Sequence, residues 1–226
     1  MLFRSTQVFT YPHATVRLHF YRVVRWSGEP RGRESQALAW QSLDALDVGP
    51  LLPANGPILR ALGLPDTYAV TDAAERGEAA FLGRLDAALD AGLRLIQVRE
   101  KSWPRDRLEV FAATVVRRAH AHGARVLVNA DLELARRVGA DGVHMTARQV
   151  GESKERPAMA LCGASCHDAD ELARARDLGV DFVVLGPVQP TLSHPGAPAL
   201  GWECFARLVS ASAVPVYALG GLVRED

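Results

Sequence analysis

From Asp66 onward, short apolar runs alternate with segments whose apolar residues recur every three or four positions. This alternation predicts repeated units of one β-strand and one α-helix, which form a parallel sheet of the α/β class. The predicted strands are residues 68–71, 93–98, 125–128, 142–145, 159–164, 182–185 and 216–219, and the predicted helices include 81–91, 108–122 and 132–138. Seven strands are one short of a closed eight-stranded barrel, so we expect the chain to be truncated at its carboxyl terminus.

Residues 1–64 show a different pattern. Apolar and polar side chains alternate over residues 15–24, with the two-residue period of a half-buried antiparallel strand. Residues 37–43 are a candidate second strand, and residues 58–62 are a predicted short helix. Two strands and one helix are too few to bury a stable core. We therefore predict two domains, 1–64 and 65–226, and expect the first to be part of a longer domain that begins before Met1.

Composition excludes several classes of partner. The 26 basic and 26 acidic residues balance, so no field attracts a polyanion, and we expect no nucleic-acid partner. The three cysteines, Cys162, Cys166 and Cys204, are odd in number and lack C-x-x-C spacing, which predicts neither a disulfide framework nor a zinc site. No apolar run approaches the ~20 residues that span a bilayer. We therefore expect a cytoplasmic protein without a membrane partner.

Polar residues follow several predicted strands, which is where parallel α/β folds build their active sites. Cations there provide the donors that a phosphate ester or a diphosphate needs, and paired glycines expose backbone N–H groups. Charged residues at a strand end can also be simply solvated. The candidates are Gln97, Arg99, Lys101, Asn129, Ser165, His167, Thr191, Ser193, His194, Gly220 and Gly221.

Seven motifs occur at the strand ends in a fixed order. They are Tyr-x-Val-Thr-Asp, Gln-x-Arg-Glu-Lys, Val-Asn, Gly-Ala-Asp-Gly-Val-His, Gly-x-Ser, Gly-Pro-x-x-x-Thr and Ala-Leu-Gly-Gly-Leu. In this order they resemble the thiamine-phosphate synthase and TenI family over residues 66–226. The resemblance implies a (β/α)8 TIM-type barrel that lacks its last strand and helix here. It also implies a small-molecule phosphate ester of the thiazole phosphate type as partner, and it leaves homo-oligomer formation open.

The resemblance implies one of two reactions. Synthases join a hydroxymethylpyrimidine diphosphate to a thiazole phosphate and release pyrophosphate with Mg²⁺, whereas TenI-type members shift a proton on a thiazole carboxylate phosphate. The synthase pattern has Asn-Asp, Gly-Gln-x-Asp and Ser-Lys where this chain has Asn129-Ala130, Thr146-Ala147-Arg148-Gln149 and Ser193-His194. All three departures fall on the residues that handle the metal and the diphosphate. The comparison therefore favours the tautomerase reaction, which requires no cofactor or metal, over the synthase alternative.

The resemblance assigns the proton transfer to His167, in the run Ser165-Cys166-His167. An imidazole with a pKa of about 6.5 can both accept and donate a proton at neutral pH. The alternative is that His167 only begins a helix, with Ser165 or Asp168 as its cap before Glu171. We expect Cys166 to pack in the interior. His144 is expected to be a hydrogen-bonded core histidine.

Residues 1–64 resemble the carboxyl-terminal part of a MutT-type Nudix hydrolase. The matching features are Phe9-Thr10-Tyr11-Pro12-His13, Trp26-Ser27-Gly28-Glu29-Pro30, Trp40 and Leu52-Pro53-Ala54-Asn55. This resemblance implies that Asn55 contacts an oxidised guanine base, although Asn beside Gly and Pro often only shapes a turn. The Nudix box, whose glutamates hold the Mg²⁺ ions of an intact domain, does not occur in the sequence.

A third interpretation follows from the Nudix resemblance. The barrel would then be a non-catalytic ligand-binding module of an 8-oxo-dGTP diphosphatase (MutT-like) fusion. Both resemblances imply that the intact parent is an enzyme, and they leave open whether the chain itself is active.

Overall fold

The fold was taken from a computed structural model, which describes residues 4–21, 23, 25–43, 45–191 and 198–223. Internal contacts divide the chain into two units, Met1–Gly63 and Leu64–Asp226. Within the described ranges, none of the helices has the length and apolar character needed to cross a membrane. Ser193 and His194, two of the predicted site residues, lie outside the described residues.

The first unit contains an antiparallel hairpin and one short helix. Strands β1 (Arg4–Tyr11) and β2 (Ala14–Tyr21) pair from Arg4 opposite Tyr21 to Tyr11 opposite Ala14. A 3₁₀ turn, Pro53–Asn55, leads into helix α1 (Gly56–Leu62). The alternating pattern at residues 15–24 predicted β2, and the helix expected at residues 58–62 is α1; β1 was not predicted.

The predicted strand at residues 37–43 is wrong. This segment makes no strand in the part of the chain that the structure describes, and its only ladder contact is an isolated bridge between Ser42 and Ala45. Leu38 and Trp40 are both mostly exposed, so the apolar side chains that suggested a half-buried strand do not face a core. A two-residue period becomes a strand only where a neighbouring strand takes up its backbone hydrogen bonds.

The second unit is a curled sheet of seven parallel strands in the order β3-β4-β5-β6-β7-β8-β9, which is also their order in the sequence. The fold is therefore α/β, with the strand arrangement of a barrel. The strands are β3 (Ala69–Val70), β4 (Leu95–Val98), β5 (Arg125–Asn129), β6 (Gly142–Met145), β7 (Leu161–Cys166), β8 (Phe182–Leu185) and β9 (Val216–Ala218). All seven match predicted strands, although β4 and β7 each begin two residues later than expected.

Helices connect the strands on the outside of the sheet. Local sequence explains several of their ends: Asp168 caps α7 at its amino terminus, and Gly179 ends it in the left-handed conformation. Thr146 and Gln149 form a capping box at the start of α6. Neither α6 nor α8 was predicted from the apolar pattern. The helices are α2 (Ala73–Arg76), α3 (Glu78–Asp90), α4 (Arg105–Ala121), α5 (Leu132–Arg137), α6 (Ala147–Glu152), α7 (Ala169–Leu178) and α8 (Gly201–Ala211).

Curling of the sheet encloses an apolar layer on its inner face. Leu95, Leu127 and Leu161 pack there with Phe182, and Tyr68 and Tyr217 complete the layer. The rings of Tyr68, next to β3, and Tyr217, in β9, lie 5.7 Å apart. The first and last strands of the sheet therefore meet through side chains in the interior. This layer supports the polar residues that lie nearer the carboxyl ends of the strands.

Candidate active site

Four polar side chains form a connected row on the inner face of the sheet. Gln97 donates through Nε2 to the hydroxyl of Tyr68 at 3.1 Å, and that hydroxyl lies 3.2 Å from Nδ1 of His144. Nε2 of His144 lies 3.0 Å from Oγ of Ser165. We call Gln97, Tyr68, His144 and Ser165 the inner row. The inner row extends across the interior from Gln97 in β4 to Ser165 in β7. Its members share one face because alternate residues of each strand point to the inner face.

The protonation states of the inner row follow from burial. Burial, and to a smaller extent the nearby charge of Arg99, lower the pKa of His144 to about 3, so the imidazole is neutral. Burial also raises the pKa of Tyr68, which therefore keeps its proton. Because Tyr68 accepts from Gln97, its hydroxyl donates to Nδ1 of His144, and Nε2–H of His144 donates to Ser165. Because Ser165 accepts from His144, its own O–H group can donate to a ligand at the carboxyl end of the strands.

Two cations lie directly after β4. The charge of Arg99, together with partial burial, lowers the pKa of Lys101, and the same charge acts on His144. The charge of Arg99 thus acts both on Lys101 and on His144 of the inner row. In the described ranges, neither Arg99 nor Lys101 pairs with a carboxylate, whereas Arg105, Arg118 and Arg137 on the outer helices all do. Two adjacent cations without a counter-ion suit an anionic ligand.

Two side chains fasten the loop that carries these cations. The backbone N–H of Arg99 donates to Oγ1 of Thr71 at 2.9 Å. The two carboxylate oxygens of Glu100 accept from the backbone N–H groups of Ala73, at 2.8 Å, and Ala74, at 2.9 Å. Thr71 and Glu100 are both buried. The chain after β3 and the chain after β4 are therefore joined at the edge of the candidate site.

The ends of β5 and β6 do not fit a Mg²⁺ ion held by two aspartates. Asp131 accepts from the backbone of Leu134 at 2.8 Å and pairs with Arg105 at 3.0 Å, so both carboxylate oxygens are engaged. After β6, Gln149 takes the place of a carboxylate and donates to the carbonyl of Ala130 at 2.8 Å. Within the described ranges, no three His, Cys, Asp or Glu side chains form a metal-binding group.

Asn129 and Ala130 end β5 beside the inner row. Asn129 is half-buried and lies opposite His144 in the ladder, and Ala130 donates its backbone N–H to the carbonyl of His144 at 2.8 Å. Ala130 has a φ of 59°, in the left-handed region that Asn and Asp adopt more readily than Ala. The predicted ligand residue Asn129 thus lies next to the inner row, at the end of β5 and directly before the left-handed residue Ala130.

His167 lies apart from the inner row, on the exposed side of the end of β7. Its side chain is 57% exposed, and Nδ1 pairs with Oε2 of Glu171 at 2.8 Å. The same carboxylate accepts the backbone N–H of His167, while Asp168 accepts that of Glu171. This is the helix-start arrangement that the sequence offered as an alternative, with Asp168 as the cap. It leaves the imidazole open to a ligand.

The loops after β8 and β9 contact each other. Gly220 and Gly221 have φ values of 101° and 65°, and a Cβ on Gly220 would lie 2.6 Å from that of Pro187. Glycine is therefore required at Gly220. No acceptor for the N–H of either glycine is found among the described residues. Thr191 is half-buried at the end of this loop.

Two further predictions concern single residues. Cys166 is buried, and burial raises the pKa of its thiol to about 12, which confirms the packing role. His144 is buried and hydrogen-bonded at both nitrogens, as expected for a core histidine. The candidate residues had nevertheless left out His144 and Tyr68, which link Gln97 to Ser165. Both occur in the ordered motifs, and their occurrence there was the signal that could have identified them.

The second unit is similar to known proteins. A family model described as thiamine monophosphate synthase matches residues 67–226. The thiamine-phosphate synthase of Chromobacterium violaceum is 41% identical over 145 residues, which is 62% of this chain and 69% of that protein. The corresponding protein of Thioalkalivibrio sulfidiphilus is 35% identical over 163 residues, covering 70% of this chain and 77% of the relative.

The fold has a similar counterpart among solved structures. The thiamine phosphate pyrophosphorylase of Pyrococcus furiosus superposes with a TM-score of 0.58 and 25% sequence identity, covering 70% of this chain and 76% of that protein. The family model's match, residues 67–226, contains the curled parallel sheet and the inner row. The chain therefore belongs to the thiamine monophosphate synthase family.

Proposed function

We propose that residues 65–226 form a barrel domain that carries out the thiamine-phosphate synthase reaction. In this reaction a pyrimidine diphosphate is joined to a thiazole phosphate. The carbon–oxygen bond to the diphosphate breaks, and the electron pair leaves with pyrophosphate. The observation that carries the proposal is the pair of cations that follow β4, Arg99 and Lys101, which lack a carboxylate partner in the described ranges, with the charge of Arg99 acting on His144 of the inner row.

The cations have the charge that the leaving group requires. Pyrophosphate leaves more easily when positive charge stabilises its oxygens, and Arg99 also presents a planar set of N–H donors. Ser165 offers the hydroxyl donor at the end of the inner row, and Gly220 and Gly221 offer backbone N–H groups. Since the donors at β5 and β6 do not fit a Mg²⁺ ion, we assign the charge stabilisation to the chain's own cations.

Release of pyrophosphate tests this proposal. The full chain is incubated with hydroxymethylpyrimidine diphosphate and thiazole phosphate, with Mg²⁺ or with a chelator. We expect release that requires both substrates and falls about 100-fold or more in Arg99→Ala. Arg117→Ala, on the exposed face of α4, is the matched control and should keep the wild-type rate. If no pyrophosphate is released with Mg²⁺ and none is released with the chelator, the proposal is wrong.

A second candidate is a proton shift on a thiazole phosphate, without loss of pyrophosphate. The pairing of the exposed His167 imidazole with the Glu171 carboxylate favours it, because this arrangement suits a group that takes and returns a proton. The mismatch between β5–β6 and Mg²⁺ favours it as well. Isomerisation of thiazole carboxylate phosphate, followed by NMR, should then be lost in His167→Ala. Isomerisation at the wild-type rate in this variant would remove the candidate.

For residues 1–64 we propose a partial Nudix-type domain that contacts a nucleobase through Asn55. Asn55 precedes α1, and its side chain makes no capping hydrogen bond in the described part of the chain, so the amide is available. Trp26 and Trp40 stack at 5.7 Å and are exposed, which makes their fluorescence a reporter. Titration with 8-oxo-dGTP should quench it, and Asn55→Ala should weaken the effect. If Asn55→Ala gives the same titration as wild type, Asn55 only shapes the turn. The interpretation of the barrel as a non-catalytic module of a nucleotide-cleaving fusion would then gain no support.

A further inference from the structure

We propose that Glu100 is a positioning residue, whose buried carboxylate holds the flanking cations Arg99 and Lys101 in place at the phosphate site. The inference deepens the proposed function and rests on the assignment of these cations to an anionic ligand. Glu100 itself touches no ligand. It acts by tying the chain after β4 to the start of α2.

The carboxylate of Glu100 does not pair with Arg99 or Lys101, its cationic neighbours in the sequence. A carboxylate between two cations could pair with either, yet both of its oxygens accept from the backbone of Ala73 and Ala74 instead. Only 5% of Glu100 is exposed, and Ala73 is 1% exposed, so the bond to Ala73 is shielded from water, while the bond to the exposed Ala74 is partly buried. A buried carboxylate requires such donors, and hydrogen bonds to a charged acceptor are stronger than neutral ones.

The direction of the neighbouring side chain supports the same role. Arg99 is two positions after Gln97 of the inner row, and alternate residues of an extended chain share a face, so Arg99 lies on the inner side of the sheet; its charge lowers the pKa of His144. Glu100 extends the other way, to the start of α2. The backbone N–H of Arg99 is held separately by Thr71, at 2.9 Å. Two attachments on either side of the Arg99 peptide therefore restrict the direction in which the guanidinium can point.

Electrostatics and positioning predict opposite effects for Glu100→Gln. If charge alone mattered, removal of a negative group near an anion site would tighten anion binding. If Glu100 positions the cations, the same change weakens binding, because one carboxylate oxygen is replaced by an NH₂ group that faces a backbone N–H. The sign of the change in affinity therefore separates the two explanations.

The experiment is a calorimetric titration of the full chain with inorganic pyrophosphate. We expect Glu100→Gln to bind pyrophosphate about tenfold more weakly than wild type. Loss of a group that orients ligand-contacting residues typically costs about 10- to 100-fold in affinity. Glu155→Gln is the control: it makes the same charge change on an exposed residue between α6 and the amino end of β7, away from the carboxyl ends of the strands. Its affinity for pyrophosphate should stay within about twofold of wild type. Affinity in Glu100→Gln that equals or exceeds wild type would overturn the inference.

A second measurement reports on geometry directly. Arg99 lowers the pKa of Lys101 in the wild type. Loss of positioning lets the two cations separate, so the pKa of Lys101, measured by NMR, should rise in Glu100→Gln. A pure charge effect would lower it further, since a nearby anion favours the protonated amine. A lowered value would therefore also contradict the inference.

Two more variants keep the outcomes distinct. Thr71→Val removes the other attachment without changing charge, and it should also weaken pyrophosphate binding; it replaces Glu100→Gln if that variant does not fold. Arg99→Ala tests the underlying site. If Arg99→Ala binds like wild type, the proposed phosphate site is wrong. If only Arg99→Ala loses affinity, the site stands and the role of Glu100 is refuted.

Discussion

His144 and His167 lie at the carboxyl ends of two neighbouring strands, β6 and β7, and their surroundings differ in almost every respect. His144 is 1% exposed and bonded at both nitrogens within the inner row. His167 is mostly exposed and pairs with a carboxylate of its own helix. The inner row is held by contacts between distant parts of the chain, whereas the outer histidine is held by local ones.

This difference indicates a division of roles. The inner row contributes to stability and sets the hydrogen-bond direction at Ser165, because none of its members can change without leaving a buried partner unsatisfied. The strand-end residues outside the inner row, His167, Arg99, Lys101 and Ala130, are exposed or half-buried and can change with little cost in stability. They should act mainly on the ligand. The following predictions test this division, from the largest effect on stability to the smallest.

Replacement of His144 by Ala should have the largest effect. It deletes a buried ring and leaves the Tyr68 hydroxyl and Ser165 without their shared partner, so we expect a loss of about 3 kcal/mol in the free energy of unfolding. Denaturant unfolding followed by near-ultraviolet circular dichroism measures the change. A loss below about 1 kcal/mol would contradict the assigned role of the inner row.

Gly163→Ala should destabilise the protein by about 2 kcal/mol through overpacking. A Cβ at this position would lie 2.6 Å from the Phe182 ring and 2.8 Å from Nδ1 of His144. Gly151→Ala is the control, because a Cβ there meets no atom within 4 Å and alanine favours the helix. Equal stabilities of the two variants would show that the inner row tolerates displacement.

The stability of the protein should depend on pH through His144. Its pKa is about 3 in the folded chain, below the value of about 6.5 in an unfolded chain, so only the unfolded state gains the proton between these values. The stabilisation is complete above pH ~6.5 and is lost as the pH falls toward ~3, by about 1.4 kcal/mol per pH unit. Wild type and His144→Gln should therefore show unfolding curves that converge at low pH. A difference that is independent of pH would contradict the buried neutral state.

Ala130→Asp should change ligand binding far more than stability. Asp adopts the left-handed conformation of Ala130 readily, so we expect a stability change within about 0.5 kcal/mol. Mg²⁺ is commonly held by one or two carboxylates together with phosphate oxygens. The variant should bind pyrophosphate about tenfold more tightly with Mg²⁺ than with a chelator, whereas Ala130→Asn should not. Mg²⁺-dependent binding by the wild type would instead indicate a metal site that the described residues do not account for.

His167→Ala should have the smallest effect on stability. Exposed ion pairs contribute little, so the loss should stay below about 0.5 kcal/mol in the same unfolding experiment. Glu171→Gln, which removes the other member of the pair, should behave alike. A loss comparable to that of His144→Ala would show that the two histidines do not differ as their surroundings indicate.

The sheet was largely predictable from the sequence, and the inner row was not. Buried parallel strands appear as short apolar runs, which is a local property that survives in the sequence alone. Helix α6 leaves no such trace, because it is short and begins with a capping box instead of an apolar stripe. Strand β1 was not predicted, and residues 37–43 were wrongly predicted to form a strand. Strand formation depends on a neighbouring strand, which the periodicity of the sequence does not reveal.

For the site, the sequence identified which residues end the strands. Gln97, Asn129 and Ser165 could be named because they follow apolar runs in known order. It did not reveal that Tyr68 and His144, 76 positions apart, connect them. The same limitation applies to Glu100, whose hydrogen bonds run to residues 26 and 27 positions away.

The amino-acid sequence by itself determined the succession of the seven parallel strands, the family and the residues at the strand ends. It also determined that Ala130 and Gln149 occur where carboxylates would be needed to hold a metal. Only the tertiary structure decided that His144 is neutral and enclosed, that His167 is exposed, and that Glu100 faces away from its cationic neighbours. The physical reason is that burial and hydrogen-bond partners arise when the sheet curls and brings distant strands together.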